Sequence, residues 1–255
     1  MNSPELPTRI ALTGAAGFLG RTLAARLSQK FPLRVLDNQP ADGPWEQITG
    51  DVADLDKAMA LCEGCSHLVI SHMAPNRSEI YATPTVPFDV NVKGVANLFH
   101  AASHYGIRRT ILISSTSVVS RYMYGGTYLT RDLPDHPHNL YGLTKALQEN
   151  IARYYHQQNG MEVAVLRPAH ICDEDSLVDK YQKKLTFANW VMIDPRDIAE
   201  AVRLALLVPE LDYEVFYISG PAEAEFHVDL KHTRDFLGWK PQHTFDKHPN
   251  ETLAA

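Results

Sequence analysis

Cysteine is scarce in this 255-residue chain, and so is any excess of positive charge. Three cysteines cannot build the disulfide framework of a small secreted domain. With 24 Lys+Arg against 30 Asp+Glu the formal charge is −6, which argues against a nucleic-acid partner, whose phosphates need a basic surface. No run approaches 18 apolar residues, so no membrane-spanning helix is expected. Residues 1–7 have neither the basic start nor the apolar stretch of a signal peptide. Internal repeats and low-complexity tracts are absent as well. A charged fraction of 21% beside 45% hydrophobic residues excludes a disordered or coiled-coil chain. The expectation is a cytoplasmic globular protein, long enough to bury a sizeable core.

What is present is an alternation of short apolar runs with helical patterns. Strands are expected at 9–12, 33–36, 47–49, 67–71, 110–114 and 163–166. Helices fall between them at 17–29, 54–62, 88–105 and 141–158, the first carrying Leu19, Leu23, Ala24 and Leu27 on one face. Continuous apolar strands separated by helices specify an α/β fold. Its parallel, doubly wound (Rossmann) sheet is covered on both faces and binds ligand at the carboxyl ends of the strands. Beyond Pro168 the pattern loosens. Residues 172–189 read as a loop or short helix, 197–207 as a helix, 215–218 as a strand, and 233–237 as a short helix closed by Gly238. Residues 1–168 therefore form the main domain, and 169–255 a small cap interleaved with it and not independent.

Thr13-Gly-Ala-Ala-Gly-Phe-Leu-Gly20 joins the first strand to the first helix. Glycines there permit a tight turn and let the backbone approach a pyrophosphate, which the N–H groups and dipole of the helix start then favour. An ordinary strand-to-helix turn seldom needs three glycines at three-residue spacing. Asp37 ends the second strand, 17 positions after Gly20. A carboxylate there accepts hydrogen bonds from the adenosine ribose and repels a 2′-phosphate; no Arg or Lys follows through Asn38, Gln39 and Pro40, so NAD is favoured over NADP. Asp51 and Val52 after the third strand can reach the adenine edge.

Tyr141 and Lys145 stand at i and i+4 of a helix, on one face. A neighbouring ammonium favours phenolate, so Tyr141 is expected to act as a general base. Ser114, Ser115, Thr116 and Ser117 end the central strand, where one hydroxyl can polarise a substrate oxygen and at least two of the others satisfy backbone groups. Cys62-Glu-Gly-Cys65 closes a helix and lacks two further ligands, so it is read as packing, and no metal is expected. Tyr122, Tyr124 and Tyr128 beside Gly125-Gly126 suggest a lid.

Together with Asn91 to Leu98, Leu166-Arg-Pro168, Asp194-Pro-Arg-Asp197 and Leu237-Gly-Trp-Lys-Pro241, these motifs resemble the extended short-chain dehydrogenase/reductase family. It is also called the NAD-dependent epimerase/dehydratase family. The resemblance implies NAD as cofactor, held by Gly14, Ala16, Gly17, Phe18, Leu19 and Gly20 at the pyrophosphate. Asp37, Asn38, Asp51 and Val52 would hold its adenosine. His72, Met73, Ala74, Asn91, Ser114, Tyr141, Lys145, Pro168 and His170 would lie along the rest. It further implies Tyr141 as base, Lys145 on the nicotinamide ribose, Thr116 or Ser115 on the substrate oxygen, and a homodimer through the helices of Asn91 and Tyr141.

Two departures bear on the substrate. Ser71-His-Met-Ala74 is bulkier than the family's usual run at that strand end, and Ile193 follows Pro168 by only 25 positions, where nucleotide-sugar enzymes carry a longer insertion. A small substrate is expected. The compact layout, with Trp190 before Asp194, is similar to the uronate dehydrogenases of the family, which oxidise a hexuronic acid to a lactone. By that likeness Asn76, Ser115, Thr116, Ser117 and His170 face the substrate, and Lys183 or Lys184 meets its carboxylate. The reading is an enzyme, an NAD-dependent oxidoreductase of a secondary or hemiacetal hydroxyl on a small sugar or sugar acid. The alternatives are a sugar epimerase or dehydratase, a reductase of a non-sugar carbonyl with room beside Met73 and Met123, and a catalytically silent NAD-binding regulator.

Overall fold

The computed structural model describes residues 8–75 and 77–249. Strands β1 (Ile10–Thr13) and β4 (His67–Ile70) are buried at every position, as a sheet covered on both faces requires. So is β5 (Arg109–Ile113); β2 (Leu33–Asp37) and β6 (Glu162–Pro168) are nearly so, while the edge strand β3 (Glu46–Thr49) has no buried position. With β9 (Tyr213–Ile218) they form one seven-stranded sheet in the order β3-β2-β1-β4-β5-β6-β9, every pair parallel. The segment after Pro168 thus supplies the seventh strand of the main sheet. A separate parallel pair, β7 (His170–Ile171) and β8 (Met192–Ile193), lies beyond it.

Helix α1 (Phe18–Leu27) packs against α7 (Pro195–Leu207) on one face, burying Leu19, Leu23 and Leu27 with Ile198 and Val202. The other face is covered by α2 (Leu55–Cys62), α4 (Gly94–His104) and α6 (Leu140–Asn159) through Leu61, Leu98, Phe99 and Ala152. The helix expected at 88–105 begins earlier, with the turn α3 (Thr85–Pro87), and runs as a π-helix over Phe88–Lys93 before α4. There the Asn91 carbonyl accepts from the Gln148 side chain at 2.8 Å, a partner on α6 that the periodicity of a single helix does not reveal.

Two short helices, α5 (Ser120–Tyr124) and α8 (Leu230–Leu237), complete the set. α8 starts three residues before the expected 233–237, because Asp229 caps it, and it ends at Gly238 in the left-handed conformation. The stretch 172–189 forms no helix. Antiparallel bridges Cys172–Asp179 and Val178–Lys184 fold it into a flap, which Leu177, Ala188 and Cys172 pin to Met192 and Phe245. All three cysteines are buried free thiols, and burial, then the neighbouring Cys65, pushes Cys62 up to about 12. Among the described residues no helix is long and apolar enough to cross a membrane.

Candidate active site

A cavity of about 500 Å³ opens at the carboxyl ends of the central strands, between the glycine turn and the start of α6. At the turn, a Cβ on Gly20 would sit 1.8 Å from the Gly14 carbonyl oxygen, so only glycine lets α1 begin this close to β1. The N-cap of α1, Gly17, offers no side-chain acceptor, and the first-turn N–H groups remain for an anion. Asp37 lies beside them: Oδ2 accepts from the Ala16 N–H and Oδ1 from the Gln39 N–H, both at 2.9 Å. A carboxylate has about four acceptor sites, so capacity is left for ribose hydroxyls. Phe18, Leu19, Asn38, Asp51 and Val52 line the same end. These residues fit a dinucleotide.

Along the middle run His72, Met73 and Ala74. The buried His72 ring receives the Thr13 hydroxyl on Nδ1 at 2.8 Å and donates from Nε2 to the Val90 carbonyl at 3.1 Å. Burial, then Lys145, pushes it down to about 3, so it is a neutral strut. Asn91 does not line the cavity. Its Oδ1 accepts from the Ala74 N–H at 2.7 Å while Nδ2 donates to the hydroxyls of Tyr81 and Thr144, so it holds the wall from behind.

At the far end α6 begins under an Asn139 cap, which places Tyr141 in the first turn. A Cβ on Gly142 would lie 2.5 Å from the Ser117 carbonyl, so this glycine lets the helix approach the end of β5. Ser115, Tyr141 and Lys145 come together there, with Ser115 hydrogen-bonded to the phenol. Thr116 and Ser117 are half-buried and do not line the cavity; Ser117 N–H donates to Ser115 Oγ at 3.1 Å. Ser114 lines the cavity and donates its hydroxyl to Glu149.

The titration of the pair differs from the expectation of a phenol lowered by its lysine. Burial pushes Tyr141 up to about 12, with the Ser115 bond opposing. The Lys145 ammonium is turned to the Ile113 carbonyl at 2.8 Å and Gln148 Oε1 at 3.0 Å, and burial, then Lys180, brings it down to about 7 against the pull of Glu149. Desolvation disfavours both charged forms, and helix spacing alone does not register it.

The cap residues are arranged differently from the expectation. Pro168 lines the cavity, but His170 lies outside its lining and bonds Asp179 through Nε2 at 3.1 Å. Lys183 and Lys184 do not line it either; Lys184 donates to the Ser176 carbonyl. Asn76 lies outside the described residues. Lys180 and Tyr181, which sequence reasoning did not nominate, reach the cavity instead, and Tyr81 meets the Tyr141 ring edge-on at 5.9 Å. Only the flap's bridges reveal which of its three lysines turns inward. The expected lid tyrosines 122 and 124 pack on His136 and His138, away from the cavity lining. Behind the site, Arg167 forks onto Glu149 at 2.7 and 3.0 Å, both side chains 2% exposed, and fixes the end of β6 against α6.

A sequence profile of the NAD dependent epimerase/dehydratase family matches residues 10–185. The uronate dehydrogenase of Agrobacterium fabrum is 31% identical over 96% of this chain and 89% of its own length. The L-arabinose 1-dehydrogenase (NAD(P)(+)) of Haloferax volcanii is 26% identical over 92% of this chain and 96% of its own. A variant of uronate dehydrogenase from Agrobacterium tumefaciens, solved in complex with NAD, superposes with a TM-score of 0.73 at 25% identity, covering 96% of this chain and 92% of that one.

Proposed function

Because the chain belongs to the NAD dependent epimerase/dehydratase family, we propose that it is an NAD-dependent oxidoreductase. Its reaction passes hydride between NAD and a secondary or hemiacetal hydroxyl of a small sugar or sugar acid. The observation that carries this reading is the meeting of Ser115, Tyr141 and Lys145 at one end of a cavity whose other end holds the glycine turn and Asp37. The sugar and sugar-acid dehydrogenases among its relatives support the substrate class.

NAD, when bound, supplies the hydride acceptor. The first-turn N–H groups of α1 hold its pyrophosphate, and Asp37 its adenosine ribose, which favours NAD over NADP. Ser115 holds the substrate oxygen beside Tyr141, and Tyr141 takes the hydroxyl proton. As a phenol pushed up to about 12, Tyr141 needs positive charge nearby to give up its own proton, and a charged Lys145 provides it. Of the expected cap, 169–255, the flap at 172–189 acts as the substrate cap, while α7 and β9 belong to the main domain. Three buried free thiols fit a reducing cytoplasm. We further infer a homodimer through α6, on which Leu143 and Tyr154 stand exposed, and the helical stretch that carries Asn91; a scattering mass of one chain would refute it.

The test is NADH formation from NAD⁺ with uronic acids, aldoses and simple secondary alcohols. Tyr141→Phe should lower kcat by about 10²–10⁴ while leaving NAD affinity unchanged. Retained turnover in that variant overturns the assignment.

A further inference from the structure

Two ammonium groups share the tyrosine end of the cavity. Lys145 is buried; Lys180, half-buried on the flap, places its Nζ 5.4 Å from the centre of the Tyr141 ring and 5.2 Å from that of Tyr181. Among the described residues no carboxylate lies within ion-pairing distance of Lys180. The adjacent Asp179 carboxylate is occupied, accepting from the N–H groups of Tyr181 and Lys183 at 2.9 Å and meeting His170. The Lys180 backbone N–H donates to the Ile171 carbonyl at 3.0 Å, which fixes the main chain of the flap where this side chain leaves it.

The acidic residues that line the cavity, Asp37 and Asp51, stand at the opposite, glycine-turn end. Around Lys145 the facing groups are Tyr141, Gln148 and Glu149 from α6, the Ile113 carbonyl and Ser114 at the end of β5, His72 after β4, and Lys180. His72 is neutral, and Glu149 is already shared by Arg167 and Ser114. The reacting end is therefore positive before any ligand enters. Like charges in a desolvated cavity repel, and an anion placed between them removes that cost.

We propose that Lys180 is a specificity-determining residue: its ammonium takes a carboxylate of the substrate, and that carboxylate relieves the repulsion on Lys145. A sugar acid then keeps Lys145 charged beside Tyr141, and the neutral sugar of the same shape does not. This rests on the oxidoreductase reading and names its substrate class. It agrees with the direction in which Lys180 acts on Lys145, now near 7.

The test is calorimetric and needs no turnover. Protein saturated with NADH is titrated at about pH 8 with D-glucuronate and D-galacturonate, and with D-glucose and D-galactose, in two buffers of different ionisation enthalpy. At that pH Lys145 is mostly neutral, so binding of an acid should take up as much as one proton, and binding of an aldose none. Lys180→Met should weaken acid binding by about 10- to 100-fold, abolish the uptake, and leave aldose binding alone. Lys180→Arg should restore both. If neither acid binds, if binding proceeds without proton uptake, or if Lys180→Met weakens acid and aldose alike, the proposal is overturned. Proton-linked binding without NADH formation from NAD⁺ would sink the oxidoreductase reading and leave Lys180 as the anion site. NADH formation with binding indifferent to Lys180 would do the reverse.

Discussion

At the glycine-turn end of the cavity the walls are largely backbone held by the sheet; at the tyrosine end they are side chains delivered from distant segments. Gly14, Gly17 and Gly20 lie within one strand-turn-helix unit, and Asp37 closes the neighbouring strand, so their places follow once β1 pairs with β2. Tyr141 stands on α6, Lys180 and Tyr181 sit on a flap, and Tyr81, which backs the Tyr141 ring, precedes the π-helical stretch. No local rule relates these positions to one another. A binding end set by backbone geometry serves any substrate, while an end assembled from loop side chains can change its substrate without touching the sheet.

The largest effect should come from the joint between the ends. Glu149→Leu leaves the Arg167 guanidinium buried without its carboxylate and takes an acceptor from Ser114. Denaturant unfolding should show a loss of about 3–5 kcal/mol, and Glu149→Leu with Arg167→Met together should recover most of it. A single variant as stable as the parent would mean that β6 and α6 hold the two ends together by other contacts. Next in size is Gly20→Ala, whose new methyl meets the Gly14 backbone. The strain of about 1–3 kcal/mol should weaken NAD binding roughly 5- to 150-fold, with KM for the sugar unchanged once NAD is saturating.

These two sites also mark what the sequence discloses. The alternation of apolar runs with helical patterns announces the parallel sheet, and the glycine spacing announces the cofactor end, because both are local signals. Ser115, Tyr141 and Lys145 are legible as candidates, but that Ser115 and not Thr116 lines the cavity is not. It depends on Gly142 letting α6 approach Ser117. Nor are the ionisation states legible: the i, i+4 spacing of Tyr141 and Lys145 implies help for the phenolate, while burial raises the one and lowers the other. The flap is least legible. Residues 172–189 have no period, and their shape comes from bridges, buried Leu177 and the Asp179 carboxylate, so Lys180 turns inward while Lys183 and Lys184 do not.

The smallest predicted effect sharpens the comparison most. Asp179→Asn keeps an amide oxygen for the N–H groups of Tyr181 and Lys183 and alters only the meeting with His170. A carboxylate only accepts, so His170 Nε2 carries the proton in the parent; opposite an amide NH₂ the ring must change tautomer or turn away. Losing one such bond costs about 1 kcal/mol, roughly fivefold. Because Asp179 anchors the turn bearing Lys180 and Tyr181, that cost should appear as a fivefold rise in KM for the sugar, with NAD affinity unmoved. Steady-state kinetics at saturating NAD, beside a titration with NAD alone, separates the two. A matching fall in NAD affinity would show that the flap also shapes the cofactor end, and the division between a backbone-built end and a side-chain-built end would fail.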